Sequence, residues 1–364
     1  MGEARFVARR TVSVRLNAGG EREITAEKII LSLGSRAALP DIPGLAAAKP
    51  MSHIEALDLQ RLPEHLLVLG AGYVGLELAQ AFRRFGSRVT VIERGDQVAS
   101  REDSDVGEAL LDLFHEEGID VLLGTKVRSV SGVSGTKVQV EIQDGSGDKT
   151  LDGSDLLVAT GRIPNTQSIG LELAGVKLDQ RGYLLVNDRL ETTAENVWAV
   201  GDCAGSPQFT HVAYDDFRVV RENLNGGHRS TRNRLVPFCM FTDPELVRVG
   251  MSEREARNSG VAYRISKMPM SAVLRTRTIS EPRGFMKMVI AADSDEILGF
   301  TAFGAEASEL LAAVQTAIVG KLPYTVFRKG LYTHPTMSEG LVFLTATDPI
   351  PAEATDRSLQ GIAP

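Results

Sequence analysis

The chain has 364 residues, 43% of them hydrophobic, and is long enough for two or three domains that each have a core. Its net charge of −7, from 40 Lys and Arg against 47 Asp and Glu, is spread over this length and argues against a nucleic-acid-binding surface. No apolar run approaches a membrane span, no secretory signal opens the chain, and the two cysteines are far apart. We therefore expect a cytoplasmic protein with small-molecule partners and no membrane partner.

The first region of the chain predicts a hairpin followed by a buried strand. Residues 4–33 alternate in polarity around Asn17 and Gly19, and they finish in the apolar run IILSL before Gly34. The segment PDIPG, residues 40–44, breaks regular structure. We interpret it as a crossing into the next domain.

The most informative stretch is LLVLGAGYVGLELAQAFRRFGSRVTVIE, residues 66–93. An apolar strand leads into Gly70, Gly72 and Gly75 and then into an amphipathic helix. The first glycine permits a tight turn, the second lets the backbone approach a pyrophosphate, and the third lets the helix pack closely on the strand. A glycine-rich turn alone is weak evidence, but here strand, glycines, helix and second strand occur in order. The stretch predicts a dinucleotide-binding βαβ unit.

The second strand of this unit ends at Glu93, about twenty residues beyond the glycines, where a carboxylate accepts the two hydroxyls of an adenosine ribose. This acid favours NAD over NADP. Arg94 adjoins it and is suited to a 2′-phosphate, so NADP stays an alternative.

The later elements continue the α/β pattern. A helix through LLDLFHEEG is followed by strands around DVLL and KVQVEI, a buried strand LLVAT before Gly161, a hairpin-like RGYLLVND and a short strand VWAV. A helix is predicted over about Tyr214–Leu224. From Val236 onward, strands GFMKMVIA and ILGFTAF alternate with the helix ELLAAVQTAIVG, and the last fifteen residues predict a loose tail.

The order of these motifs resembles one family, the pyridine nucleotide-disulfide oxidoreductases, which are flavoproteins that include dihydrolipoamide dehydrogenase, glutathione reductase and mercuric reductase. The resemblance covers about residues 2–344, and two segments, THVAYDDFRVVRENL and TDPELVRVGMSEREA, look most like the mercuric-reductase branch. Its motifs are AEKIILSLGSRAALPDIPG, GAGYVGLELA, ATGRIPNT, NVWAVGDCAG, PFCMFTDPELVRVG and HPTMSEG.

This resemblance implies an α/β fold in which a Rossmann-type NAD domain is inserted in a partial FAD domain and followed by an α+β dimerisation domain. The implied ranges are 1–55 and 166–235 for the FAD domain, 56–165 for the NAD(P) domain, 236–345 for the dimerisation domain and 346–364 for the tail. Because the last domain of the family reaches into the other subunit's site, the resemblance also implies a homodimer.

The resemblance assigns roles to five further residues. Asp202 matches the acid that holds the flavin ribityl chain, Gly161 lies at a cofactor-binding position in ATGRIPNT, and Glu77 matches the glutamate beside the nicotinamide and flavin rings. His334 and Glu339 match a catalytic pair in which the carboxylate orients an imidazole that passes a proton to a redox thiol. Without the resemblance, a turn aspartate, a surface helix glutamate and a loop histidine are the ordinary interpretations. No metal site is predicted.

The chain also departs from the family. It contains neither the family's first Rossmann unit, which grips the FAD pyrophosphate, nor a pair of redox cysteines separated by four residues, because Cys203 and Cys239 fall elsewhere. Ser32-Leu33-Gly34 stands where Ala-Thr-Gly is usual. We expect an active site that is incomplete in this chain, with another polypeptide, sequence upstream of Met1 or loss of function as alternative explanations. We also expect the strands IILSL and VWAV to flank an absent strand.

These observations predict an oxidoreductase linked to FAD and NAD(P)H, with a small-molecule electron acceptor that the sequence does not name. The alternative is a non-catalytic NAD-binding and dimerising module, or a relic of such an enzyme.

Overall fold

The computed structural model describes residues 1–351, and the chain forms two compact units. The first unit comprises Met1–Ala38 and Gly161–Arg234, and the second comprises Leu39–Thr160 together with the chain from Leu235 onward. The chain therefore leaves the first unit once and returns to it.

The described chain contains both strands and helices, with runs of consecutive strands over residues 2–37 and 120–164. The strands are β1 (Gly2–Ala8), β2 (Thr11–Leu16), β3 (Glu21–Thr25), β4 (Ile29–Leu31), β5 (Ser35–Ala37), β6 (His65–Leu69), β7 (Arg88–Ile92), β8 (Asp120–Leu122), β9 (Lys126–Val133), β10 (Lys137–Asp144), β11 (Gly147–Gly153), β12 (Asp155–Val158), β13 (Arg162–Pro164), β14 (Val197–Ala199), β15 (Phe238–Met240), β16 (Glu245–Gly250), β17 (Tyr263–Pro269), β18 (Phe285–Ala291), β19 (Ile297–Gly304) and β20 (Ile350–Pro351). The α-helices are α1 (His53–Leu57), α2 (Tyr73–Phe85), α3 (Ser104–Glu116), α4 (Leu171–Ala174), α5 (Thr210–Leu224), α6 (Glu253–Asn258), α7 (Leu274–Thr278), α8 (Ala307–Val319), α9 (Thr325–Arg328) and α10 (Gly340–Leu344).

The first unit contains an antiparallel meander and two short strand pairs. Strands β1, β2 and β3 form the meander, as the alternation before Gly34 predicts. Strand β4 pairs directly with β14 in parallel, from Ile29↔Val197 to Leu31↔Ala199. The prediction that these two strands flank an absent strand is therefore wrong, because their backbones satisfy each other's hydrogen bonds.

Two other predictions in this unit need adjustment. The expected hairpin over RGYLLVND is reduced to isolated bridges, Leu178↔Leu184 and Val186↔Thr192. Helix α5 begins at Thr210, four residues earlier than predicted. Its first buried residue is Val212, two residues before the predicted start. This helix packs near the end of β14, where Asp202 lies.

In the second unit, a four-stranded parallel sheet has the order β12-β6-β7-β8, and α2 connects β6 to β7. The strand residues Leu66, Val68, Val89 and Val91 are fully buried beneath the helices, as near-continuous apolar runs require in a parallel sheet. Strands β9, β10 and β11 form an antiparallel meander inserted before β12. Strand β11 was not predicted, because GDKTLDG shows no apolar alternation; its position comes from its pairing with β10.

The C-terminal part of this unit is a six-stranded antiparallel sheet, ordered β15-β16-β19-β18-β17-β20, against which α8 packs. Strand β20 pairs with β17, so the first residues of the segment predicted to be a loose tail form a short strand. Residues 352–364 of that tail lie outside the described residues. No helix within residues 1–351 is long and apolar enough to cross a membrane.

Candidate functional site

The glycine turn between β6 and α2 has the geometry that a dinucleotide site needs. Gly70 has φ +101°, and a Cβ there would lie 2.7 Å from the Ala159 carbonyl oxygen. A Cβ on Gly75 would lie 2.2 Å from the Gly70 carbonyl oxygen, so only glycine lets the helix approach the turn. Around Gly72, by contrast, no atom lies within 4 Å of the Cβ position. Open space therefore borders the N-terminus of α2, where helical N–H groups attract an anion.

The Glu93 carboxylate lies against this turn. Its Oε2 accepts a hydrogen bond from the Ala71 amide at 2.8 Å, and its Oε1 accepts one from the Gly95 amide at 2.8 Å. Each carboxylate oxygen has further acceptor capacity, so both can also receive ribose hydroxyls. Arg94 follows and is exposed to solvent. The arrangement places an anchored acid at the carboxyl end of β7, beside the open space at Gly72.

Glu77 lies on α2, two residues beyond Gly75, and is half-buried rather than on the surface. Its Oε1 accepts a hydrogen bond from the Phe241 amide at 2.7 Å. Burial raises the pKa of the Glu77 carboxyl, and the Phe241 amide partly opposes this rise.

In the first unit, Gly161 directly precedes Arg162, and Asp202 lies beside the Arg162 side chain. Gly161 has φ +133°, and no atom lies within 4 Å of its Cβ position. The Asp202 Oδ2 accepts a hydrogen bond from the Ser35 hydroxyl and lies 3.6 Å from Nε of Arg162. Its side chain is 22% exposed and so is open to a ligand.

The turn that carries Asp202 is held by a residue that the sequence did not single out. Asp216, fully buried on α5, accepts a hydrogen bond from the Gly201 amide at 2.8 Å and one from Arg234 at 2.8 Å. A signal was present: two adjacent acids in YDDF on an amphipathic helix place one of them on the buried face.

His334 and Glu339 form the pair that the resemblance implies. Nδ1 of His334 lies 2.7 Å from Oε2 of Glu339, whose side chain is 8% exposed against 64% for the histidine. A carboxylate at Nδ1 fixes the neutral ring with its proton on that atom and leaves Nε2 as the proton acceptor. The second oxygen of Glu339, Oε1, has no hydrogen-bond partner in the described part of the chain.

Neither cysteine has the character of a redox thiol. Cys203 is fully buried in the first unit, and this burial raises the pKa of its thiol. Burial, with the nearby charges of Glu245 and Glu77, raises the pKa of Cys239 to about 12. Both thiols are therefore protonated at neutral pH and are poor nucleophiles. Among residues 1–351 there is no cluster of three or more metal-ligating side chains.

The glycine turn and its anchored acid define a dinucleotide-binding α/β protein. Comparison with known proteins makes this more specific. The pyridine nucleotide-disulphide oxidoreductase family model matches residues 1–216, and the model of that family's dimerisation domain matches residues 236–344. The chain belongs to this family, and the predicted family and α/β fold class are confirmed.

Three similar proteins illustrate the relationship. The probable pyridine nucleotide-disulfide oxidoreductase RclA of Escherichia coli is 36% identical over 93% of this chain and 76% of its own length. A mercuric reductase of Acidithiobacillus ferrooxidans is 36% identical over 95% of this chain, which spans 62% of that enzyme. The structure of the Cu(II) complex of the HOCl-induced flavoprotein disulfide reductase RclA from Escherichia coli superposes with a TM-score of 0.89 and covers 95% of this chain and 78% of its own. The family uses FAD with NAD(P)H as its substrate.

Proposed function

We propose that this chain is an FAD-linked oxidoreductase that takes electrons from NAD(P)H and prefers NADH over NADPH. The observation that carries the proposal is the open space at Gly72, bordered by the helix N-terminus and by the anchored Glu93 carboxylate. A 2′-phosphate would meet this carboxylate as a like charge, which disfavours NADPH.

The strand order gives the bound dinucleotide a direction. Glu93 follows β7, so the adenosine ribose lies on the β7 side of the glycine turn. The pyrophosphate lies over the N-terminus of α2. The nicotinamide half then extends the other way, toward β12, the neighbour of β6 on its opposite side. We assign Glu77 to this nicotinamide half.

The residues of the first unit fit a flavin. Asp202 keeps part of its carboxylate exposed to accept hydrogen bonds from ribityl hydroxyls, and Gly161 leaves space for close approach of a ligand to the backbone. Bound FAD would supply a ring that accepts a hydride from NAD(P)H and releases electrons to an acceptor. On the protein side, Nε2 of His334 would take or return the proton, while Glu339 holds the ring.

We further propose that the chain acts as a cytoplasmic homodimer on a small-molecule acceptor, and that its site is incomplete for disulfide reduction. In the family the histidine serves a redox thiol. The state of Cys203 and Cys239, both protonated, supports this view. It also favours the second candidate, an NAD-binding and dimerising module without catalysis.

One experiment separates the two candidates. The purified chain is mixed with FAD, desalted, examined for the flavin absorbance band and then titrated with NADH without oxygen. A retained band that NADH bleaches supports the oxidoreductase. A colourless protein that still binds NADH supports the module, and a protein that binds neither cofactor contradicts both.

A further inference from the structure

One face of helix α2 binds the segment that opens the C-terminal sheet. The residues of this face are Tyr73, Glu77, Gln80 and Arg84, spaced four, three and four apart, so they form a single stripe along the helix. The bound segment is residues 238–243. At its start, the Tyr73 ring stacks on the Phe238 ring with centroids 5.1 Å apart.

Gln80 makes the most complete set of contacts in this stripe. The side chain is 4% exposed. Its Oε1 accepts a hydrogen bond from the Asp243 amide at 2.8 Å, while its Nε2 donates to the Asp243 carbonyl at 2.9 Å and to Oε1 of Glu117 at 3.0 Å. Both groups of one backbone residue are thus satisfied by a single amide side chain, as a neighbouring strand would satisfy them. Arg84 adds a second donor to the Asp243 carbonyl at 2.8 Å.

The same segment supplies the partner of Glu77. Phe241 donates its amide to Glu77 Oε1, and two residues later Asp243 donates its amide to Gln80 Oε1. Both donors therefore face helix α2. Between them, the Thr242 side chain is buried and its hydroxyl donates to the Pro244 carbonyl at 2.8 Å. The position of the Phe241 amide is consequently set by what holds Asp243.

We propose that Gln80 is a positioning residue for Glu77, and through it for the nicotinamide half of a bound dinucleotide. The part that concerns the dinucleotide rests on the proposed function. Gln80 lies on the side of the helix that faces the segment and acts through residues 241–243. Without it, the Asp243 amide loses its partner and the Asp243 carbonyl keeps the Arg84 donor, so the Phe241 amide no longer fixes the Glu77 carboxylate.

The test compares the full chain with Gln80→Leu, Gln80→Glu, Glu77→Ala and the double variant Glu77→Ala/Gln80→Leu. Gln80→Glu keeps the side-chain shape and the acceptor for the Asp243 amide, but it loses both donors and places a second carboxylate beside Oε1 of Glu117. The control is Gln60→Ala, because Gln60 is exposed and within residues 1–351 its side chain bonds only the nearby Asp58 carbonyl, at 2.9 Å. Hydrogen exchange of the peptide that covers residues 238–243 is measured by mass spectrometry, and NADH affinity is measured by fluorescence titration.

We expect both Gln80 variants to speed exchange of this peptide and to weaken NADH binding on the order of tenfold, which corresponds to about 1.4 kcal/mol. Gln60→Ala should change neither. In the double variant, Gln80→Leu should add less than twofold to the effect of Glu77→Ala, since both act through one carboxylate. Fully multiplicative effects on NADH affinity would overturn the proposal.

The two readouts keep this proposal separate from the proposed function. If the wild-type chain binds no NADH, the proposed function fails, and exchange alone decides whether Gln80 holds the partner of Glu77. Unchanged exchange in Gln80→Leu would then refute the positioning role. If Gln80→Leu does not fold, the comparison of Gln80→Glu with Gln60→Ala decides in the same way.

Discussion

At the scale of single residues, the binding preference depends on how firmly Glu93 is held. Two backbone amides fix its carboxylate beside the glycine turn, so it cannot turn away from a ligand without losing both hydrogen bonds. A fixed negative charge discriminates against a phosphate more strongly than a mobile one, which solvent and rotation would screen. Arg94 is exposed, and in the described part of the chain its side chain makes no comparable hydrogen bonds to the turn.

We therefore predict that Glu93→Ala weakens NADH binding by about tenfold, because a hydrogen bond to a charged acceptor contributes about 1.5–3 kcal/mol. Binding of NADPH should weaken less or improve, so that the preference narrows. Fluorescence titration with both cofactors measures this. The matched control is Asp96→Ala, which removes an exposed acid from the same loop. Equal or tighter binding of NADPH by the wild-type chain would contradict the role of Glu93.

At the scale of elements, the three glycines of the turn divide into two kinds. Gly70 and Gly75 have backbone atoms where a Cβ would lie, while Gly72 has empty space there and an ordinary φ of −80°. Gly75 is thus required by the packing of the helix on the turn, and Gly70 by its positive φ and its contact with the chain at Ala159. The third is required only if a ligand approaches.

This difference predicts opposite outcomes for two variants. Gly75→Ala should destabilise the second unit by about 1–3 kcal/mol, as overpacking does. Gly72→Ala should change stability by less than about 1 kcal/mol, since glycine and alanine differ little there apart from helix capping, but it should abolish detectable NADH binding. Urea unfolding and NADH titration check the two expectations. Normal NADH binding by Gly72→Ala would contradict the proposal that the pyrophosphate binds at this turn.

A second element-scale feature joins α3 to the C-terminal sheet. Lys287, 1% exposed in β18, donates to Asp103 at 2.8 Å and to Asp105 at 2.9 Å. Burial alone would lower the pKa of Lys287, but the two carboxylates raise it overall. Burial alone would likewise raise the pKa of Asp103, but Lys287 and two backbone amides lower it overall.

We predict that Lys287→Met lowers the free energy of unfolding by about 3–5 kcal/mol, because it leaves the buried Asp103 carboxylate without a cation, whereas Asp105 keeps its ion pair with Lys267. The raised lysine pKa gives stability that is present below about pH 10 and lost above it, and the lowered Asp103 pKa gives stability that is present above about pH 4 and lost below it. The deficit of the variant should therefore be largest between these limits. Urea unfolding at several pH values measures it, and a deficit that is constant from acid to alkali would contradict the ionic origin.

The sequence predicts those parts of the fold and of the candidate site whose residues lie close together along the chain. The turn at Gly70, Gly72 and Gly75 is local, so its glycines and the following helix specify the geometry together. Strand β11 could not be predicted, because its residues have no apolar pattern and its register comes from β10. Asp216 was missed because its partner, the Gly201 amide, is brought near it only by the packing of α5. The direct pairing of β4 with β14 likewise depends on distant parts of the chain.

At the scale of the whole molecule, the part of the chain that concerns assembly is residues 236–344, which match the model of the family's dimerisation domain. This part exposes several large apolar side chains in the single chain, among them Phe343 at 50% and Val319 at 68%. Such side chains are typical of a surface that a partner subunit covers.

We predict that the wild-type chain is a dimer at micromolar concentration and that Phe343→Asp shifts it toward the monomer, because an unpaired charge in an apolar interface is costly. Light scattering measures the mass. Val133→Asp, which alters an exposed apolar side chain on β9, is the control and should leave the dimer intact. A monomeric wild-type chain would contradict the prediction.

The final prediction concerns catalysis by these 364 residues alone. Reduction of lipoamide, glutathione or mercuric ion should be negligible, because neither Cys203 nor Cys239 is ionised at neutral pH. Weak NADH oxidation with a diffusible acceptor is expected if FAD is retained. The assay uses saturating NADH and added FAD, with Cys203→Ser and Cys239→Ser as controls. Rapid turnover of a disulfide that either substitution abolishes would show that a redox thiol is present after all.

The chain leaves and re-enters its first unit through two paired strands, β5 and β13, with Ala37 opposite Arg162 and the Ala38 amide bonded to the Gly161 carbonyl at 2.9 Å. Residues 39–160 are thus attached to the first unit as the loop of a hairpin. A domain inserted at this point leaves the path of the chain through the first unit unchanged, since the two attachment points are neighbours. For the protein engineer, a tight turn from Ala37 to Arg162 would close the hairpin and yield a contiguous first unit for separate study.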